Sequence, residues 1–404
     1  MFPELESVKK KKAPKRKSLV AGYDWGAPAS TETRHVNSFY DDGWIGFLNL
    51  DLIISEAIEM GASDIHIYGG QDIYFTINGD VAPQEKYVRL DTDSAFDISK
   101  ALLTNLQYSE FVRDRDYDFS YTVIRGPYRG RRLRGHVGRS LGFEYFVFRV
   151  ISDEIPTTDS LGIEQEIKDW MKAPEGLALI CGATGTGKST TLASVIREIQ
   201  LTEPKKIITI EKPIEYVYPV DGRALIAQRE VGDDVVTFTS GLTAAMREAP
   251  DMILIGEVRN NEEVSELIRA AETGHMAIST MHTNSVATTI NRIQGLFEGA
   301  ERLRILSTLA DTLQGLGNQT LVKTKDGKGR VACRELLTVN GEIRDLIAKG
   351  DVKGIRDYQI KHKITMEYSL VRAALRGECT IEEARKHSSR RGEFADALKE
   401  LMDA

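Results

Sequence analysis

Apolar and polar residues change rhythm several times along this chain, and the changes mark its elements. After Trp44, residues Phe47, Leu48, Leu50, Leu52, Ile53, Ala57 and Ile58 recur at helical spacings, and Gly61 stops the pattern. Asp64-Ile65-His66-Ile67-Tyr68 and Asp72-Ile73-Tyr74-Phe75-Thr76-Ile77 then alternate with period two around Gly69-Gly70, which predicts a hairpin. A turn at Asn78-Gly79-Asp80, a helical stretch over 92–106 and three β-like runs over 117–124, 131–137 and 143–150 follow. Strands flanked by helices without βαβ regularity predict a small α+β domain. Pro156 interrupts regular structure at 155–158, which reads as a linker.

Beyond the linker, strand and helix patterns alternate. The strands fall at 177–181, 206–210, 252–255 and 276–280, and helices at 237–247, 261–272 and 286–294 lie between or after them. Residues 252–255 are wholly apolar, as in a buried parallel strand. The alternation predicts an α/β doubly wound sheet with its site at the carboxyl edge of the strands. Strands near 319–322 and 331–339 close that domain, and from Glu342 the pattern is almost wholly helical. The expected organisation is a tail (1–43), an α+β domain (44–154), a linker (155–158), an α/β domain (159–340) and C-terminal helices (341–404). No internal repeat is evident.

Composition changes this picture little, and charge changes it more. With 404 residues, 41% hydrophobic and 28% charged, the chain has an ordinary soluble balance and room for two or three cores. Cys181, Cys333 and Cys379 lie far apart, which excludes a cysteine zinc site or a disulfide framework and fits a reducing compartment. No apolar run approaches the ~20 residues that span a bilayer, so the expectation is a cytoplasmic protein with no transmembrane segment that meets a membrane through partners. Residues 9–17 (KKKKAPKRK) hold seven basic residues and no acid, although the whole chain is −7. The remainder is therefore twice as acidic as the whole. The basic run reads as a solvated tail, with anionic lipid or an acidic partner as the alternative.

The candidate chemistry centres on Gly182-Ala183-Thr184-Gly185-Thr186-Gly187-Lys188-Ser189, followed by Thr190, a full match to the phosphate-binding pattern G-x-x-x-x-G-K-[ST] between a strand and a helix. Glycines let successive N–H groups converge on phosphate oxygens, and the opening helix adds its positive end. Lys188 would reach the β/γ-phosphates and Ser189 would hold Mg²⁺. ATP and Mg²⁺ are thus the expected substrate and cofactor. Ile253-Leu254-Ile255-Gly256-Glu257 is an apolar strand ending in a carboxylate, a Walker B arrangement that makes Glu257 a second metal or water ligand. Glu211 and Glu215 follow another strand, and His275 and His282 bracket a third, where His282 suits a γ-phosphate sensor better than a zinc ligand. Arg125, Arg129, Arg131, Arg132, Arg134 and Arg139 crowd the first domain. Few aromatics interleave them, which favours contact with phosphate across a subunit interface over a nucleic-acid track, with a solvated face as the bland alternative.

Five ordered motifs carry a resemblance. They are the loop 182–189, the stretch 209–215, Gln228-Arg229-Glu230-Val231-Gly232, the stretch 251–259, and Glu272-Thr273-Gly274-His275 with Thr280-Met281-His282-Thr283. Together they resemble the secretion ATPase superfamily of type II secretion and type IV pili, most closely its pilus-retraction (PilT-type) branch and the relatives that serve conjugation and type IVB secretion. The absence of a four-cysteine insertion and the stretch 342–350 (EIRDLIAKG) point to the same branch.

The resemblance implies a PAS-like N-terminal α+β domain and a RecA-like P-loop NTPase domain, assembled as a homohexameric ring on inner-membrane platform proteins. It implies that Glu215 polarises the attacking water, that Glu257 is the Walker B acid, that His275 and His282 form the histidine box, and that Arg134 and Arg149 reach the phosphates. Lys212 departs from the usual aspartate, a change of two charge units that either weakens metal binding or pairs with a phosphate. The alternatives are a nucleotide-binding assembly subunit with little turnover, a RecA-like nucleic-acid motor, which the net negative charge opposes, and a small-molecule kinase.

Overall fold

The computed structural model describes residues 47–87, 92–151 and 154–403. The basic run and the rest of the expected tail to residue 43 lie outside them. The chain divides into two units between Ile151 and Ser152.

The first unit carries α1 (Phe47–Glu59), β1 (Ala62–Tyr68), β2 (Ile73–Ile77), β3 (Asp80–Gln84), α2 (Thr92–Leu102), α3 (Asn105–Asp114), β4 (Asp116–Thr122), β5 (Arg132–Ser140) and β6 (Phe143–Val150). Its strands form one antiparallel sheet in the order β3-β2-β1-β6-β5-β4. Leu50, Ile53, Ile54 and Ala57, one stripe of α1, pack with Ile65, Phe75, Phe111, Phe119, Leu133, Phe146 and Phe148 into its core. Buried Asp51 on α1 accepts from the Tyr121 hydroxyl (2.6 Å) and from the backbone N–H of Arg125 (2.9 Å), which anchors the start of the arginine-rich stretch.

Two features depart from the sequence pattern. The helical stretch over 92–106 is two helices, because Thr104 caps α3 through a reciprocal pair with Gln107. Strand β3 contains Pro83, tolerated because β3 is an edge strand.

The second unit carries α4 (Gln165–Lys172), β7 (Gly176–Cys181), α5 (Lys188–Thr202), β8 (Lys206–Glu211), β9 (Leu225–Glu230), α6 (Phe238–Ala245), β10 (Met252–Ile255), α7 (Asn261–Glu272), β11 (Met276–Met281), α8 (Val286–Gly295), α9 (Gly299–Thr312), β12 (Leu313–Lys323) and β13 (Arg330–Thr338). Five helices follow: α10 (Gly341–Lys349), α11 (Val352–Lys361), α12 (Met366–Leu375), α13 (Ile381–His387) and α14 (Arg391–Met402). The sheet order is β13-β12-β7-β11-β10-β8-β9, parallel except for β13. Strands β7 and β10 are buried along their whole length, as their unbroken apolar runs require.

The C-terminal helices are not a separate bundle. Ile343, Ile347 and Ile355 of α10 and α11 join the sheet's own core, while Leu370, Val371 and Phe394 of α12 and α14 pack on Val322 and Cys333 of β12 and β13. Residues 155–158, read as a linker, also lie within this unit: Ile155 packs on its core and the Thr158 hydroxyl donates to Glu198 of α5.

A buried acid network ties these helices to the sheet. Glu335 on β13 accepts from the Gln359 side chain (2.7 Å) and from the Val286 N–H (3.4 Å), and it shares Arg356 with Glu367 and Glu393. Burial pushes its carboxyl from the ordinary 4.5 to about 7, and Arg356 only partly opposes the rise. The folded chain thus holds this proton more tightly than the unfolded one, and stability is lost as pH rises from about 4.5 through about 7. Glu335→Gln, which mimics the protonated form, is expected to raise the melting temperature by a few degrees near pH 8 and not near pH 5. Thermal unfolding at the two pH values checks this.

Candidate active site

Strands β7, β11, β10 and β8 run side by side and parallel, with Leu179, Ser279, Ile255 and Ile210 in register, so the segments that follow them emerge at one edge. Those segments carry the phosphate loop after β7, His282 after β11, Glu257 after β10, and Glu211 and Glu215 at and beyond the end of β8. Sequence separation of nearly a hundred residues between Thr184 and His282 closes to 3.5 Å between hydroxyl and Nδ1.

The loop's shape follows from its glycines and from what lies beneath it. Gly182 has φ 149°, and a Cβ there would come within 2.5 Å of the Gln319 carbonyl oxygen on β12. Gly187, φ 81°, turns the chain into α5, whose first residue is Lys188. The buried Lys188 ammonium donates to the carbonyls of Gly182 (2.8 Å) and Ala183 (3.0 Å), and the Thr186 hydroxyl donates to the Ala183 carbonyl (2.9 Å). Burial lowers the Lys188 pKa, opposed in part by Cys181 and then by the carboxylates of Glu257 and Glu215. Ser189 lines a small pocket with Glu211, Tyr216, Gly256 and Thr280, and Thr190 shares a hydrogen bond with the Tyr216 hydroxyl (3.0 Å).

Glu211 and Glu257 are tuned in opposite directions. Burial drives the Glu211 carboxyl up to about 7; the charge of Glu215 adds to the rise, while the Thr209 hydroxyl (2.7 Å) and Gln228 amide oppose it. For Glu257, burial also acts upward, but the paired hydrogen bonds from Arg259 (2.9 and 3.0 Å) and His282 Nε2 at 3.2 Å outweigh it and hold the carboxyl below its ordinary value. Glu215 is half-buried, and its backbone N–H donates to Glu211. Lys212 lies between them in sequence and is exposed.

One residue is not brought to this edge. His275 precedes β11, at the end where Met276 pairs with Gly176, and its Nδ1 faces the Ala270 carbonyl and the Thr273 hydroxyl. The six-residue strand separates it from His282 by roughly 20 Å. His275 thus caps the C-terminal end of α7 through the Ala270 carbonyl and does not line the loop.

In the first unit, Arg134 on β5 and Arg149 on β6 are direct cross-strand partners, so their side chains share one sheet face. Arg134 donates to Asp118 (3.0 Å) and Arg149 to Asp64 (2.8 Å), and both guanidiniums are well exposed. The two guanidiniums thus lie side by side on that face, each held by an acid on the adjoining strand.

Sequence reading missed four contributors. Arg259 grips Glu257, Tyr216 meets Thr190, and Gln319 and Arg334 lie under the loop. No clear sequence signal marks Gln319, because β12 (LQGLGNQTLVK) mixes polar residues and glycines with apolar ones along its length.

Residues 143–386 match the model of the family described as type II/IV secretion system protein. The type IV pilus retraction ATPase PilT of Pseudomonas aeruginosa is 35% identical over 76% of this chain and 87% of its own length. PilU, a type IV pilus ATPase of the same organism, is 32% identical over 84% and 89%. Among solved structures, the pilus retraction motor PilT with bound ADP superposes with a TM-score of 0.78 at 36% identity, over 86% of this chain and 99% of that one. The Legionella pneumophila ATPase DotB gives 0.76 at 28% identity, over 85% and 95%. Among the described residues no helix is long and apolar enough to cross a membrane. The chain belongs to the type II/type IV secretion ATPase family, in its pilus-retraction branch, and is an ATP hydrolase.

Proposed function

We propose that the chain works as a homohexamer, in which each ATP lies on the Gly182–Thr190 segment of one copy and against Arg134 and Arg149 of the next. The loop's N–H groups and Lys188 would hold the phosphates, and Glu215 would take the proton of the attacking water. His282, held by Glu257, would sense the γ-phosphate. Magnesium fits the donor set, because the Ser189 hydroxyl and a carboxylate kept ionised at Glu257 are hard oxygens; it would neutralise charge on the β,γ-phosphates. Positioning and charge stabilisation supply most of the acceleration in phosphoryl transfer, which suits a site built from fixed dipoles and few nucleophiles.

The relatives are named for type IV pilus retraction and for secretion, and by analogy the work here would move pilin subunits or license export at an inner-membrane platform. The protein would sit in the cytoplasm against that platform. The exposed Lys212 would add positive charge beside the site.

The observation that carries this reading is geometric: Glu215 and Glu257 follow the paired parallel strands β8 and β10 at the edge where the loop after β7 holds Lys188. Glu215→Gln in the full-length protein is the test. Hydrolysis is expected to fall about 10²–10⁴-fold, while ATP binding persists, because the loop and Lys188 are untouched. An unchanged turnover number would remove Glu215 from the chemistry and leave Glu211 as the candidate base.

A further inference from the structure

Beneath the phosphate loop runs a chain of buried hydrogen bonds that the catalytic reading does not use. The Gln319 amide donates to the Thr186 carbonyl (2.6 Å), and its Oε1 accepts from the Thr191 hydroxyl on α5 (2.9 Å) and from Arg334 Nε on β13 (2.8 Å). Arg334, whose side chain is 2% exposed, donates onward to Glu164 (2.8 Å) and the Gly162 carbonyl (3.1 Å), just before α4. Gln319 therefore touches the Thr186 carbonyl near the end of the loop, the first turn of the helix, and the arginine that ends on residues 162–164. Its backbone also lies under Gly182 and its amide under Gly187, so both ends of the loop rest on this one residue.

We propose that Gln319 and Arg334 are positioning residues for the phosphate loop, forming a strut that fixes the loop against residues 162–164. Neither would touch the nucleotide. Three polar partners meet on one buried amide: Thr191 and Arg334 fill both lone pairs of Oε1, and one N–H of the amide is aimed at the Thr186 carbonyl. An amide held from three sides is rigid, because each bond lost would leave an unsatisfied buried group. The strut thus makes the loop's geometry depend on where residues 162–164 sit. By reciprocity, a phosphate that reshapes the loop would bias that entry segment.

The inference rests on the reading that 182–190 bind phosphate, and the test separates the two. Arg334→Met is the central variant, because Arg334 reaches the loop only through Gln319. Gln319→Met, the double variant, Arg334→Lys and Lys188→Ala accompany it, all in the full-length protein. Fluorescent ATP-analogue binding, KM and kcat are measured on folded protein. Arg334→Met and Gln319→Met are each expected to weaken nucleotide binding about tenfold and to raise KM more than they lower kcat. The double variant should be no worse than Gln319→Met alone, and Arg334→Lys should recover part of the loss.

Unchanged binding in both single variants, or fully additive losses, would overturn the strut. If Lys188→Ala also bound nucleotide normally, the phosphate-site reading itself would fall; if it alone lost binding, only the strut would. Should Arg334→Met not fold, Thr191→Val, which removes another donor to the same Oε1, carries the same expectation and the same power to refute.

Discussion

Lys188→Ala is expected to abolish ATP hydrolysis by the full-length protein, lowering the rate by about 10³-fold or more. The expectation follows from where the ammonium lies. It is buried at the mouth of the loop and already paired with the carbonyls of Gly182 and Ala183. Burial lowers its pKa, and the negative charges of Glu257 and Glu215 oppose that fall only in part. No other lysine emerges in the loop to take its place, because Lys212 follows β8 and is exposed. Alanine would remove one cation from a low-dielectric site, where a charge–phosphate contact is far stronger than in water. Phosphate release measured against wild type checks it, with circular dichroism showing that α5 persists. A rate within a fewfold of wild type would contradict the assignment of the loop.

The second large effect is expected from the first unit. Replacing Arg134 and Arg149 together with alanine should reduce hydrolysis by about 10³-fold, the range in which an arginine finger acts. It should leave the unit folded. Both guanidiniums are exposed, their ion pairs with Asp118 and Asp64 are of the surface kind that contributes about 0–1 kcal/mol, and removing two opposed like charges relieves repulsion. His136 stays within 3.0 Å of Asp118, so that acid keeps a partner. A lost rate with an unchanged melting temperature would therefore report on phosphate contact and not on unfolding. Single replacements should fall in between, because each arginine brings its own acid and can act alone.

Much of the site was legible before the structure because its chemistry is local. A glycine-rich turn between an apolar run and a helix needs only a dozen residues to declare itself, and an acid at the end of Met252–Ile255 declares itself in the same way. What was not legible depends on register across strands. The adjacency of Arg134 and Arg149 comes from the pairing of β5 with β6, fifteen residues apart through a hairpin. The grip of Arg259 on Glu257 and the reach of Gln319 to Thr186 arise from how loops fold back. His275 shows the converse: one motif spans both ends of β11, so nearness in sequence placed a histidine with the loop that the strand carries away from it.

Two of the elements missed have mixed patterns. Strand β9 is a half-exposed edge strand, and α9, with an arginine-rich outer face, carries few apolar residues in its first turn. Both are fixed by tertiary packing more than by periodicity.

The claim that most needs testing is that each site is shared between copies. Lys188→Ala chains and Arg134→Ala/Arg149→Ala chains, each inactive alone, can be co-expressed with different tags and purified as mixed assemblies. If the arginines serve the neighbouring copy's loop, random mixing rebuilds intact sites at about one quarter of interfaces, and hydrolysis should return to about that fraction of wild type. If loop and arginines act within one chain, every site in the mixture lacks one or the other, and no activity returns.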